Sequence, residues 1–298
     1  MNDDLGRLGI WTFALDAQPA SVAQEMAAEL ETLGYGAIWI PEAVGRDPMV
    51  NAFLLLSGTE RITVATGIAS IYARGAMTMT SGWKALSEAF PGRFLLGLGV
   101  SHQPAVEGMR NQTYGPPLST MRAYLDAMDA ALYLAAQPTM EPQRCLAALG
   151  PKMLELAAAR TRGAHPYYVP PEHTAFARGV LGSGPLLAPE QKVILETDAA
   201  TAREIARANI TGYLGLPNYA NNLRRLGWSD DDLAGEGSDR LIDAVIVCGE
   251  VDAIVGRVRA HLAAGADSVC LQVRAQSSAD PALGALAEIA AALLEPRR

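Results

Sequence analysis

The sequence predicts an α/β protein, a single (β/α)8 TIM barrel, and three observations carry that prediction. Strand-like and helix-like segments alternate from one end of the 298 residues to the other. Eight or nine such alternations suit one barrel better than two dinucleotide-binding halves. No Ser/Gly linker or low-complexity segment divides the chain, so residues 1–298 read as one domain with insertions near 101–117, 182–190 and 211–238.

The first strand is RLGIWT at 7–12. It leads into a helix whose apolar Val22, Met26, Leu30 and Leu33 repeat at helical spacing, with Ser21 and Gln24 set as a capping box and Gly34 as terminator. GAIWIP (36–41) and the β-branched ITVATGIA (62–69) are strands two and three. A helix over 76–90 precedes strand four, RFLLGLG (93–99). There Phe94-Leu95-Leu96 is short enough for burial on both faces, and Gly97 and Gly99 leave room for something to approach the backbone. A polar loop from His102 to Pro117 and a helix over 118–135 lead to strand five, QRCLAAL (143–149). Gly150-Pro151 opens the next helix, proline being suited to the first helical position. GAHPYYV (163–169) is strand six and KVILET (192–197) strand seven. After a helical excursion at 201–234, AVIVCG (244–249) reads as a short or displaced barrel strand. A helix with Ile254, Val255, Val258 and Leu262, then Gly265 and strand SVCLQV (268–273), precede a closing helix to Leu294.

Composition narrows the function classes. The net charge is -8 without any Lys/Arg cluster, which argues against a nucleic-acid surface. No apolar run approaches the ~20 residues that span a bilayer, and the opening MNDDLGRLGI lacks a basic-then-apolar leader pattern. The expectation is a cytoplasmic protein that engages no membrane. Cys145, Cys248 and Cys270 stand in apolar strand-like runs without CxxC spacing and read as small buried hydrophobes. His102, His165, His173 and His261 are scattered without HxH or HExxH spacing, so no metal site is expected.

Parallel barrels assemble their active sites at the carboxyl ends of the strands. Those ends present Phe13, Glu42, Gly67 and Ser70 from the first three strands, Ser101 and His102 from the fourth, and Gly150, His165, Tyr167, Gln272 and Arg274 thereafter. GLGVSH lacks the third glycine of a dinucleotide fingerprint, and neither a P-loop nor a GxSxG elbow is present. As neighbours on an extended segment, Ser101 and His102 point to opposite sides and make a poor nucleophile and base. A Schiff-base lysine lacks a candidate, since Lys84, Lys152 and Lys192 lie on helices or at a strand start. The phosphate candidate is LGPKM (149–153), where Gly150 leaves room and the free N–H groups of the first helical turn attract an anion that Lys152 could help hold. The same spacing equally suits an ordinary connection.

Taken in order, GIWT, GAIWIPEAVGRD, ITVATGI, PGRFLLGLGVSH, LAALGPKMLELA, GAHPYYVPPEHT, VCGEVDAI and GADSVCLQV resemble the bacterial luciferase-like flavin or deazaflavin oxidoreductases, in the branch that uses coenzyme F420. The resemblance covers nearly the whole chain. It implies a homodimeric TIM barrel that binds its ring cofactor at the carboxyl end of the strands, with reduced FMN replacing F420 in oxygen-using relatives. It further implies a cis non-proline bulge at Gly67-Ile68 behind the ring, flanking ring contacts from Thr66 and Ser70, a phosphate-binding turn at Gly150 and Pro151, and backbone donors at Ala148 and Leu149. Lys152 and His165 complete the expected cofactor-binding set.

Two positions depart from the sugar-phosphate dehydrogenases of that family. Pro41-Glu42 stands where they carry Asp-His, and His102 where relatives commonly carry a glutamate, which argues against glucose 6-phosphate. A proton donor or acceptor must still stand near the substrate carbon that exchanges hydride, and His102 suits that role, with Glu42 as its partner. The expected activity is F420-dependent hydride transfer to or from a small organic substrate. The alternatives are an FMN-dependent luciferase-like monooxygenase, a non-catalytic cofactor-binding barrel, and a barrel enzyme that holds another phosphorylated substrate at LGPKM.

Overall fold

The computed structural model describes residues 5–274 and 282–294. Among these, parallel strands form one curled sheet: β1 Leu8–Trp11, β2 Ala37–Ile40, β3 Thr63–Thr66, β4 Ala69–Ser70, β5 Phe94–Gly99, β6 Gln143–Leu146, β7 Gly163–Ala164, β8 Leu186–Leu187, β9 Glu190–Ile194, β10 Ile246–Cys248 and β11 Val269–Val273. Their order is β10-β9-β11-β1-β2-β3-β5-β6-β7-β8. β8 continues through Ala188 and Pro189 into β9, and this run is bonded on both sides. The Ala188 N–H donates to Ala164 O at 3.0 Å, and the Cys270 N–H donates to Pro189 O at 2.9 Å. The run 186–194 therefore acts as one strand and brings the sheet round on itself as a TIM barrel. Helices cover the outside, so the strands are buried on both faces; LGIW, AIWI and TVAT carry no solvent-facing residue.

Several expected boundaries move. The segment 182–190, read as an insertion, holds β8 and the start of β9. Pro189, which has no N–H for a ladder, disguised a strand that begins at Leu186 rather than Lys192. AVIVCG is a displaced strand: only Ile246–Cys248 is extended, paired beside the far half of β9, and the preceding Asp239–Val245 is helical. The first helix, Ala20–Thr32, has Pro19 at its N-cap and no side-chain cap. Gln24 instead donates to Leu54 O at 2.9 Å, tying this helix to the helix Pro48–Ser57. The helix expected over 118–135 spans Pro117–Asp129. Beyond it Leu132 and Leu134 are exposed, so no packed face supports further turns. The insertion at 211–238 comprises the end of the helix Ala199–Leu214 and the helices Pro217–Arg225 and Asp230–Leu233, and it has its own core around Ile210, Tyr219, Leu223 and Leu241.

The interior of the barrel is filled by Trp11, Trp39, Ala65, Leu95, Cys145 and Cys270. The described cysteines are free thiols, with Cys145 and Cys270 buried as expected.

β3 and β4 are one strand interrupted by a bulge. Ala65 pairs with Leu95 of β5 and Ala69 with Leu98, so the β3–β4 side carries one residue more than β5 between these pairs. The Gly67-Ile68 peptide inside that bulge is cis, as the resemblance implied. Its carbonyl and the polar groups just before it have partners. The Gly67 N–H donates to Ile40 O at 2.7 Å, Gly67 O accepts from Trp11 Nε1 at 2.9 Å, and Thr66 Oγ1 donates to Gly97 O at 2.7 Å. The glycines of β5 now have a cause. A Cβ on Gly97 would lie 2.0 Å from Thr66 O, and one on Gly99 would lie 2.5 Å from Ile68 Cδ1. What approaches that backbone is the bulge.

Candidate active site

A cavity of about 700 Å³ opens among the residues that leave the carboxyl ends of the strands. Of the residues expected to bind a cofactor, Gly67, Ile68, Ala148, Leu149, Gly150 and His165 line it. The two expected acid/base groups, His102 and Glu42, line it as well. The helical insertion adds Tyr213, Asn218, Tyr219 and Arg225.

His102 follows β5 through a backbone reversal. Ser101 adopts φ of 56°, in the left-handed region that non-glycine residues rarely occupy, so the extended alternation expected for Ser101 and His102 breaks and both reach the cavity. The His102 ring lies 5.4 Å from the Tyr219 ring, tilted 48°. Burial lowers its pKa below the usual 6.5, opposed by a hydrogen bond with Asn218. It is therefore neutral near pH 7.

Glu42 does not partner it. Both its oxygens are taken: Oε2 accepts from the Ser70 N–H at 2.7 Å and Arg74 Nη1 at 3.1 Å, and Oε1 pairs with Arg74 Nη2 at 2.7 Å. Arg110 Nη2 stands 3.8 Å from Oε1. A carboxylate held this way fixes the chain after β2 to the chain after the bulge. Four other expected contacts fall outside the cavity lining. Thr66 is fully buried with its hydroxyl on Gly97 O, and Ser70 is buried beside Glu42. Pro151 and Lys152 belong to the first turn of the helix Pro151–Arg160, with Lys152 turned to solvent. Propensity and spacing place these residues near the site but not on its face.

The cation beside Gly150 comes instead from the insertion. A Cβ on Gly150 would meet Arg225 Nη2 at 3.6 Å, so this guanidinium lies over the start of a helix that no side chain caps. His173 holds the preceding turn by donating from Nε2 to Leu149 O at 2.9 Å. Arg225 lies 75 residues from Gly150 in sequence, and only the folding of the insertion joins them.

His165 stacks on Trp39 with centroids 4.0 Å apart and donates from Nδ1 to Ala188 O at 2.7 Å. Nε2 is then an acceptor. It is buried without a partner and would lie 3.2 Å from a Cβ on Gly67. Desolvation pushes its pKa down to about 4.

Lys192 is in the middle of β9, 2% exposed, with Nζ 3.1 Å from Oε1 of the equally buried Glu190. The i, i+2 spacing of an acid and a base on a strand puts both on one face, and that spacing was the available signal. Among the described residues there is no group of three or more His, Cys, Asp or Glu able to hold a metal ion. No described helix is long and apolar enough to cross a membrane.

A profile of the luciferase-like monooxygenase family matches residues 8–268. A Mycobacterium tuberculosis protein provisionally named as a coenzyme F420-dependent oxidoreductase, Rv3520c, is 25% identical over 321 aligned positions, covering 87% of this chain and 91% of the relative. An F420-dependent secondary alcohol dehydrogenase solved with an F420–acetone adduct superposes with a TM-score of 0.74 at 14% identity, covering 98% of this chain and 100% of that one. The oxygenating constituent of 3,6-diketocamphane monooxygenase from Pseudomonas putida, solved with FMN, has a TM-score of 0.68 at 14% identity, covering 97% of this chain and 100% of that one.

Proposed function

The chain belongs to the luciferase-like monooxygenase family, and from that premise we propose that it is an F420-dependent oxidoreductase acting on a small, uncharged organic substrate. The observation that carries this reading is one cavity that joins a small-residue bed, an uncapped helix N-terminus with a guanidinium beside it, and a neutral histidine. The residues fit a deazaflavin. Gly67-Ile68, Gly99 and Ala148 form a bed without protruding polar groups, and the orphaned His165 Nε2 offers an acceptor next to it. The N–H groups that open the helix Pro151–Arg160 and the Arg225 guanidinium suit a phosphate.

A bound deazaflavin supplies the hydride acceptor or donor. The chain does the rest. Trp11 and the bulge fix the bed, His173 and Leu149 fix the phosphate turn, and His102 takes or returns the substrate proton at the ring nitrogen that Asn218 leaves free. Glu42, paired with Arg74, contributes no free negative charge to the substrate region, which disfavours a cationic substrate.

Fluorescence titration of the purified protein with F420 and, separately, with FMN tests the reading. Micromolar or tighter F420 binding is expected, weakened about tenfold or more by Arg225→Ala through loss of a charge-assisted contact. Binding of FMN alone would move the protein to the flavin monooxygenase branch.

The protein is also proposed to work as a homodimer. Val50, Phe53 and Met77 are exposed on the adjacent helices Pro48–Ser57 and Ala76–Ala89, an apolar face that a second copy can cover. Light scattering at micromolar concentration should give twice the chain mass of 31.5 kDa. A monomer there contradicts it.

A further inference from the structure

Behind the substrate region lies a polar cluster that neither the cofactor bed nor His102 uses. The Tyr167 hydroxyl donates to Gln272 Oε1 at 3.1 Å and lies 3.0 Å from the Tyr213 hydroxyl. A phenol has one proton, so Tyr167 meets Tyr213 as an acceptor, and the Tyr213 O–H that makes this bond reaches a ligand at the cavity wall by rotating away from Tyr167. Beneath them, Lys192 Nζ lies 3.8 Å from the Tyr167 ring centroid and 5.1 Å from that of Tyr213. Glu190 neutralises Lys192 through Oε1 and accepts the Tyr168 N–H at 3.0 Å through Oε2. A buried ion pair is expensive, and here it fixes both the backbone and the ring faces of the tyrosines.

We propose that the Tyr213–Tyr167 hydroxyl pair is the subsite for the oxygen of a neutral alcohol or carbonyl substrate, with Lys192 and Glu190 as positioning residues beneath it. The inference rests on the oxidoreductase reading above and deepens it by naming the substrate class. With its O–H rotated from Tyr167 to the ligand, Tyr213 can donate to a carbonyl oxygen or to an alcohol oxygen whose own proton stays free for His102, so one side chain serves both members of a hydride-transfer couple. Oxidation of the alcohol sends a hydride to the deazaflavin and the hydroxyl proton to His102; reduction of the carbonyl draws on both. Burial, with Glu190 nearby, raises the pKa of both tyrosines, so they remain hydrogen-bonding groups and leave proton transfer to His102. Lys192, directly beneath the tyrosines, is already paired with Glu190 and so offers a carboxylate substrate no free charge.

The test uses 4-dimethylaminobenzaldehyde, whose absorption band moves to longer wavelength when its carbonyl oxygen accepts a hydrogen bond, with 4-dimethylaminobenzoate as the anionic counterpart. The aldehyde should bind with a red-shifted band and at least tenfold more tightly than the acid. Tyr213→Phe should abolish most of that shift and weaken binding about fivefold, while F420 fluorescence titration of the same variant stays at the wild-type value. The double variant Glu190→Gln/Lys192→Met, which removes the pair without orphaning a charge, should give an intermediate shift at unchanged circular dichroism. No aldehyde binding, preference for the acid, or a band indifferent to Tyr213→Phe overturns the subsite. If F420 fails to bind the wild-type protein while the aldehyde still responds to Tyr213, the cofactor reading falls and the subsite stands.

Discussion

Replacing His102 with alanine is expected to lower turnover about 10²-fold or more while F420 affinity stays near the wild-type value, the loss being that of a positioned acid/base group. The separation follows from the geometry: His102 meets Tyr219 and Asn218 of the insertion, whereas the proposed cofactor bed comprises Gly67, Ile68 and the turn at Gly150. A pH profile adds a second readout. Burial lowers the His102 pKa, so with hydride leaving the substrate the base form is fully present above pH 6.5 and is lost as pH falls below that value. The wild-type acid limb should lie below pH 6.5 and should be missing from the residual activity of His102→Ala. Unchanged turnover in the variant removes His102 from the mechanism.

The second large effect is on stability in acid. His165, His173 and His261 are each at most 1% exposed and neutral, with pKa values pushed down to about 4, about 4 and about 3 by desolvation. The unfolded chain titrates them near 6.5, so between that value and the folded pKa values it binds more protons than the native protein. The stability these groups confer is whole above pH 6.5 and is lost as pH falls toward 4. At ~1.4 kcal/mol per histidine per pH unit, the loss is on the order of 10 kcal/mol by pH 4, comparable to the whole stability of an ordinary domain. His261 adds a structural cost, because protonating Nδ1 breaks its 2.8 Å bond from Thr174 Oγ1 while Nε2 stays bonded to Gln191 Oε1. Urea midpoints should fall steadily from pH 6.5 to 5, with spontaneous unfolding before pH 4, and His261→Gln should flatten that slope. Midpoints constant across the range contradict the assignment of neutral buried imidazoles.

The barrel was legible because its strands are short apolar runs punctuated by glycine and proline, and such punctuation survives in one dimension. Gly97 and Gly99 announced a close approach without saying by what; the register of β3, β4 and β5 identifies the Thr66–Ile68 bulge. The bulge at Gly67-Ile68 and the turn at Gly150-Pro151 could be read because each is contiguous in sequence. Arg225, Asn218, Tyr219 and Tyr213 could not, since they reach the cavity only through the packing of an insertion whose amphipathic helices show which faces are buried but not against what. Glu42 shows the converse. Its position at the end of β2 suggested acid/base work, but Arg74, 32 residues later and unremarkable in sequence, consumes both oxygens. Lys192 reads as a strand start because Pro189 hides the beginning of its strand at Leu186, and that six-residue error turns an interior lysine into an apparent strand terminus.

The central claim is that this chain holds a deazaflavin against Gly67-Ile68, with its phosphate at Gly150 and Arg225 and its reactive carbon within reach of His102. A crystal structure of the protein with F420 measures it directly. The expected result is electron density for a planar ring packed on Gly67-Ile68, a phosphate within about 3.2 Å of the first N–H groups of the helix Pro151–Arg160, and His102 on the open side of the ring. A ring bound elsewhere, or density for a ligand that leaves the Gly67-Ile68 bed bare, would contradict it.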